Sequence, residues 1–286
     1  MPDVEAGDAM NNPIDGFRQF MRNAGLEPPG EIVANGSLNR FTVPGDKPRS
    51  LNGWYVFHAD TPAAGSFGCW KRQLNETWSA KEYHSMDPAE KAAYSAKMET
   101  IKRQREEEQV RIHAECRAWC ADVWGKAEDA TNDHPYLKAK GVKSFGLKCF
   151  RGSLLIPIQD IAGNIYGMQF IRPDGSKTFK TGTAKRGHFY SMGEGKGNTL
   201  CIAEGYATAA SIHQATGYPV LTAFDAGNLK PVAENVRAKV PQLNIIICAD
   251  NDQWTEGNPG LTKATEAARA VGGLLAVPFI EGVRHE

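Results

Sequence analysis

No stretch of the 286-residue chain approaches the roughly 20 consecutive apolar residues that a membrane span requires, so no membrane partner is expected. Net charge is missing too. Lysine and arginine number 33 against 33 aspartate and glutamate, which excludes a uniformly basic nucleic-acid coat and leaves only local patches to consider. The six cysteines, at 69, 116, 120, 149, 201 and 248, form no CxxC pair. Cys201 and Cys248 sit within apolar runs and read as small core residues. One cluster, His113, Cys116 and Cys120, has spacing that would share a helix face. It has no evident fourth ligand, and its neighbours Trp119 and Val123 suggest a packed stripe, so no structural zinc is expected. The opening "MPDVEAGDAM" is acidic and polar, unlike a secretory leader, and the expected setting is the reducing cytoplasm.

What the chain does have changes along its length. After a polar lead-in over 1–12, "NPIDGFRQFMRNAGLEPPG" places Phe17, Phe20 and Met21 at helical spacing before a glycine and a double proline. Residues 31–80 hold short β-rich runs separated by turn residues, predicting a small antiparallel sheet. Its aromatics (Trp54, Tyr55, Phe57, Phe67, Trp70, Trp78) interleave with Arg40, Arg49, Lys71 and Arg72. Stacking rings beside cations suit a single-stranded nucleic acid, making Arg40, Trp54, Trp70 and Lys71 candidate template contacts. A sheet so small equally needs such bulk for its core. "DPAE" at 87–90 is a helix start, and helix formers run on to about 128.

Beyond a turn at 131–135, "SLLIPIQD" and "IYGMQFI" flank "IAGN" as a hairpin. Residues 145–200 carry eight Lys or Arg (Lys148, Arg151, Arg172, Lys177, Lys180, Lys185, Arg186, Lys196) against Asp160, Asp174 and Glu194. This local excess favours an anion-binding groove. From 199 onward strand and helix patterns alternate, β-α-β-α-β-α-β, with near-continuous apolar strands, the mark of a parallel sheet covered by helices. Ligands gather at the carboxyl ends of such strands. There the chain places Glu204, Asp225 and the pair Asp250 and Asp252. Were that pair on an extended strand, its side chains would lie side by side. At ~4 Å and an effective dielectric of ~20 they would repel by about 4 kcal/mol. A divalent cation, a shared proton or a loop that splays them must offset this. Converging hard oxygen donors with open positions suit Mg²⁺ or Mn²⁺, with Asp225 either a further ligand or a helix cap.

"IAEGYATAAS", followed some 45 residues later by "ADND", resembles the toprim domain of DnaG-type primases, topoisomerases and certain nucleases. "HPYLKAKGV", "GSLLIPIQDIAGNIYGMQFIRPDGSKTFKTG", "RFTVPGDKPRSLNGWYVFHAD" and "GSFGCWK" extend the resemblance to TraC-like primases of plasmids, phages and prophages, over nearly the whole chain from about residue 14. The resemblance implies an α/β architecture in four parts. These are an aromatic-rich antiparallel β module (1–80), a helical connector (81–130), a basic α+β primase subdomain (131–198) and a toprim domain with a central parallel sheet flanked by helices (199–286).

It implies primer synthesis on single-stranded DNA from nucleoside triphosphates, with catalytic and metal-binding roles for Glu204, Asp250 and Asp252. Arg151, Arg172, Lys177, Lys180 and Lys185 would bind nucleotide or nucleic acid. A replicative helicase, or a fused helicase region in a longer chain, is the implied partner. Two departures stand out: Thr208 occupies the position of a further acid in many primases, and the zinc ribbon of cellular primases is absent. A metal-dependent toprim nuclease, or a non-catalytic single-strand-binding or priming-accessory module, is the alternative.

Overall fold

A computed structural model describes residues 12–278 apart from Arg49, Gly195, Lys196 and Gln253. The lead-in over residues 1–11, two of the counted cations and the expected end of the last strand at Phe279 therefore lie outside the described residues. The chain divides into two compact units, one up to Val110 and one from Arg111.

In the first unit α1 (Pro13–Asn23) starts where Asn12 accepts the Ile14 amide and Pro13 supplies a preset φ. Phe17 and Met21 are its buried residues. They pack on a four-stranded antiparallel sheet in sequential order: β1 (Asn39–Phe41), β2 (Gly53–His58), β3 (Ala64–Cys69) and β4 (Leu74–Ser79). Tyr55, Phe57, Phe67 and Cys69 point to α1 and form the core. Fully burying each such ring or aliphatic chain contributes roughly 1.5–3 kcal/mol.

Helix α2 (Pro88–Lys126) runs 39 residues, ~58 Å at ~1.5 Å per residue. Its start is the reciprocal cap that the sequence predicts. The Glu90 amide donates to the Asp87 carboxylate at 2.8 Å, and the Asp87 amide donates to Glu90 at 2.9 Å. Residues up to Val110 belong to the first unit and the remainder to the second.

The second unit holds two five-stranded sheets. The first runs in sequential order: β5 (Glu128–Asp129), β6 (Lys148–Phe150), β7 (Ser153–Gln159), β8 (Ile165–Ile171) and β9 (Lys177–Phe179), all antiparallel. Helix α3 (Pro135–Lys140) lies between β5 and β6. The second sheet has the order β10 (Tyr190–Met192), β12 (Val220–Thr222), β11 (Thr199–Ala203), β13 (Asn244–Cys248), β14 (Leu274–Ala276). Its last four members are parallel, as the continuous apolar runs predict, while β10 adds an antiparallel edge. Helices α4 (Tyr206–Thr216), α5 (Ala226–Lys239) and α6 (Pro259–Val271) connect the parallel strands.

One core joins the two sheets. Leu154, Ile156 and Ile158 of β7 and Ile171 of β8 meet Tyr206, Ala209 and Ala210 of α4. The opposite face of the first sheet, with Leu155 and Met168, packs on Cys116, Cys120 and Val123 of α2. The two cysteines thus serve as packing residues, their sulfurs 3.9 Å apart. Among the described residues no helix is long and apolar enough to cross a membrane.

Candidate active site

The rim of the second sheet sets the acids. Glu204 follows β11 directly, and its backbone oxygen accepts the Phe224 amide at 2.8 Å, tying two adjacent strand ends together. Phe224 itself adopts φ +74°, a left-handed conformation that a bulky side chain rarely takes, immediately before Asp225. Asp225 caps α5, accepting the Asn228 amide at 3.0 Å, and forms an ion pair with Lys185. Two of the predicted site residues, one assigned to metal and one to nucleotide, thus hold each other. Asn228, buried, fixes that pairing. Its amide donates to the carbonyls of Lys185, His188 and Ala223 at 3.1, 3.0 and 2.8 Å, and its oxygen accepts the Gly187 amide at 2.7 Å.

Asp250 and Asp252 do not continue β13, which ends at Cys248. The loop splays them, so the side-by-side strand geometry expected from the sequence gives way. Asp250 turns toward α4 and accepts from the Thr208 hydroxyl at 3.4 Å. Asp252 accepts the Gly260 amide at 3.2 Å, at the positive end of α6. Gly260 has no substitute here: a Cβ would stand 2.4 Å from the Asp250 carbonyl oxygen and 2.8 Å from the Asp252 carboxylate. Thr208, where many primases have an acid, orients Asp250.

The acids still feel one another. Burial raises the Glu204 pKa above the ordinary carboxylate value, and Asp250, Asp225 and Asp252 raise it further. Asp250 is likewise raised, by burial and then by Asp252, against opposing effects of Thr208 and Lys177. Among the described residues no three acids, histidines or cysteines gather into a metal cage. The donors nevertheless fit an open Mg²⁺ or Mn²⁺ site. Glu204 and Asp250 are hard oxygen donors whose mutual repulsion a cation would relieve, and such ions keep several waters and meet substrate phosphates.

Facing these acids across a cavity of about 210 Å³ are Tyr136 and Lys140 of α3, Gln169 of β8 and Lys177 of β9. The Lys177 ammonium lies 5.8 Å from the Tyr136 ring centre. Of the five predicted anion-binding residues, Lys177 is the one that lines this cavity. Lys180, three positions on, is on the other face of the sheet, its ammonium 4.6 Å from the ring of Trp119 on α2. Arg151 and Arg172 occupy the β6–β7 and β8–β9 turns, one against the Phe150 ring and the other donating to Ser176 at 3.1 Å. Residues missed in the sequence are Tyr136, Lys140 and Gln169. The signal for α3 was present: Pro135 follows a capping His134, and Gly141 closes the helix at φ +65°.

The candidate template contacts of the first unit are engaged internally. Trp54 is 1% exposed and stacks on Trp70 at 5.5 Å, so its face is closed to a base. Arg40 donates to the Leu51 carbonyl and, at 3.0 Å, to Glu108, and Lys71 pairs with Asp46. The aromatic density of this module is its core.

Residues 198–278 match the toprim domain family. Two DNA primases named TraC from Escherichia coli are 36% and 34% identical to this chain, over 93% and 96% of its length. The chain spans 26% and 20% of those two relatives, about a quarter of their length or less. A structure of the DnaG primase catalytic domain bound to single-stranded DNA shares 14% identity at a TM-score of 0.41, over 61% of this chain and 72% of that one. Residues 198–278 are a toprim domain, within a chain that is homologous over nearly all its length to part of the TraC primases.

Proposed function

We propose that the chain is a DNA primase that makes short primers on single-stranded DNA by nucleotidyl transfer. The observation that carries this reading is the single cavity with carboxylates on one wall, Glu204 and Asp250, and ammonium groups on the other, Lys140 and Lys177. A hydrolase needs the acids alone, whereas a polymerising enzyme must also hold a triphosphate. Bound Mg²⁺ or Mn²⁺ would lower the pKa of the attacking 3′-hydroxyl and neutralise the departing pyrophosphate. Asp250, oriented by Thr208, and Glu204 hold that ion, with Asp252 fixed behind them by the Gly260 amide. Glu204, with its raised pKa, is also suited to accept the hydroxyl proton near neutrality. Lys140 and Lys177 bind the phosphates, and Lys185 orients Asp225 from the side.

Single-stranded DNA and nucleoside triphosphates are then the ligands, and a replicative helicase, separate or fused, is the partner. Such a protein works in the cytoplasm. The test is primer synthesis from labelled nucleoside triphosphates on single-stranded oligonucleotides with Mg²⁺ or Mn²⁺, wild type beside Asp250→Ala. Template-dependent products from wild type alone support the reading. Metal-dependent cutting of the oligonucleotides without synthesis would replace it with a nuclease, and neither activity would leave a binding module.

A further inference from the structure

The floor of the cavity holds a group that the proposed chemistry does not use. Gln169 sits on β8, a strand of the sheet interior, and is 5% exposed. Its neighbours in register, Ile156 on β7 and Phe179 on β9, offer its side chain no polar atom. Among the described residues its amide makes no hydrogen bond, yet it lines the cavity between Lys177 and Glu204. Beside it the Tyr136 hydroxyl, on a side chain 3% exposed, is buried with no partner among the described residues. Burial raises the pKa of that hydroxyl, which keeps it a neutral donor. Two unpaired polar groups in one wall are costly unless a ligand satisfies them.

The chemistry of the pair narrows the ligand. Charged triphosphate oxygens are served by Lys140 and Lys177, and a cation by the carboxylates. A neutral amide that both donates and accepts suits a neutral group that does the same, and a sugar hydroxyl is such a group. The base of an incoming nucleotide is selected by pairing with the template, leaving the sugar as the part that protein must read. The sugar also lies next to the α-phosphate, hence between the acids and the lysines, where Gln169 is found. A cavity of about 210 Å³ admits a pentose and its adjoining phosphate rather than a whole nucleoside triphosphate.

We propose that Gln169, with Tyr136 beside it, reads the ribose 2′-hydroxyl of the incoming nucleotide and makes the enzyme select ribonucleoside over deoxyribonucleoside triphosphates. The inference rests on the nucleotidyl-transfer reading above and assigns it a substrate class. A site built to hydrogen-bond a hydroxyl rejects the analogue lacking it, because its buried polar groups are then left unpaired.

The experiment compares kcat/KM for ribo- and deoxyribonucleoside triphosphates in the full chain, wild type beside Gln169→Met and Tyr136→Phe. Methionine keeps the glutamine volume, so folding is preserved and a melting curve verifies it. Wild type should prefer ribonucleotides, and Gln169→Met should lower the ribo-to-deoxy ratio by about tenfold or more, with Tyr136→Phe lowering it less. Equal losses for both sugars would mean that Gln169 is structural or binds a shared group, and would overturn the proposal. A wild type without sugar preference would overturn it as well. Titration calorimetry with ATP and dATP runs in parallel. If wild type makes no primer but binds ATP more tightly, and Gln169→Met abolishes that difference, the polymerase reading fails while sugar recognition stands. Binding of neither nucleotide ends both.

Discussion

Carboxylates in the two units of this protein live under opposite rules. In the N-terminal unit each perturbed acid has its own cation. Lys71 holds the Asp46 pKa below the ordinary value, Lys97 does so for Asp60, and Lys81 for Glu90. On the toprim rim Glu204 and Asp250 are half-buried beside further acids, and their pKa values move upward. One arrangement stabilises the fold, and the other works against it. Acids kept together without a cation mark a place where the fold tolerates a cost for a binding task. That contrast separates structural from functional electrostatics more sharply than the count of charges in either unit.

The largest effect that tests it is on activity. Asp250→Ala should reduce metal-dependent primer synthesis by at least about a hundredfold, as removal of a main transition-state electrostatic group does. Lys177→Ala should follow in the same assay with a raised KM for nucleotide. Next comes stability in the N-terminal unit. Lys97 is 8% exposed and donates to the carbonyls of Asp60 and Pro62 at 2.8 and 2.9 Å. Lys97→Met leaves both acceptors unpaired and should cost about 2–3 kcal/mol in urea unfolding, with little change in priming per folded molecule.

Acidity then separates the two classes by sign. For Asp46 and Asp60, folded pKa values below the unfolded ones give stability that is present above the ordinary carboxylate range and lost as pH falls through the lowered values. For Glu204 and Asp250 the raised values give stability that is full below the ordinary range and lost as pH rises through them. Metal-free protein should therefore melt higher in mild acid than at neutrality, and lower again in strong acid. Asp250→Asn should raise the neutral melting temperature by ~2–4 °C, the effect of about 1 kcal/mol in a domain of this size, and Mg²⁺ should then stabilise it less than wild type. If Asp250→Asn lowered the melting temperature, the rim acids would be ordinary structural groups. The smallest effect is expected of Lys180→Ala, because Lys180 packs on Trp119 away from the cavity. A loss comparable to that of Lys177→Ala would place substrate on both faces of the sheet.

Much of this architecture was legible in the sequence, for physical reasons that differ by element. The parallel strands β11, β12 and β13 announced themselves as apolar runs ending in acids, because strands buried on both faces tolerate nothing else. The start of α2 was readable because its cap is local, confined to Asp87 and Glu90. The rim residues were found because strand ends in such sheets collect ligands. What could not be read was facing. Lys177 and Lys180 look equivalent in a basic segment, and only pairing with β8 sends them to opposite sides. Trp54 and Trp70 look equally available until the sheet curls one of them under. Gln169 was invisible because a lone polar residue in an apolar run carries no periodic signal. The splaying of Asp250 and Asp252 depends on Gly260, a contact made across eight residues of loop.

The pairing of Gln169 with Phe179, and of Ile171 with Lys177, carries a consequence for how this segment can change over generations. Adding or removing one residue within β9 inverts every side chain beyond it, taking the lysine out of the cavity and turning an aromatic neighbour away. Changes of two preserve the phase. Descendants of this gene that still make the same product should therefore differ in length at the Arg172–Ser176 turn, where slack exists, and keep an even count wherever the strand itself has grown or shrunk.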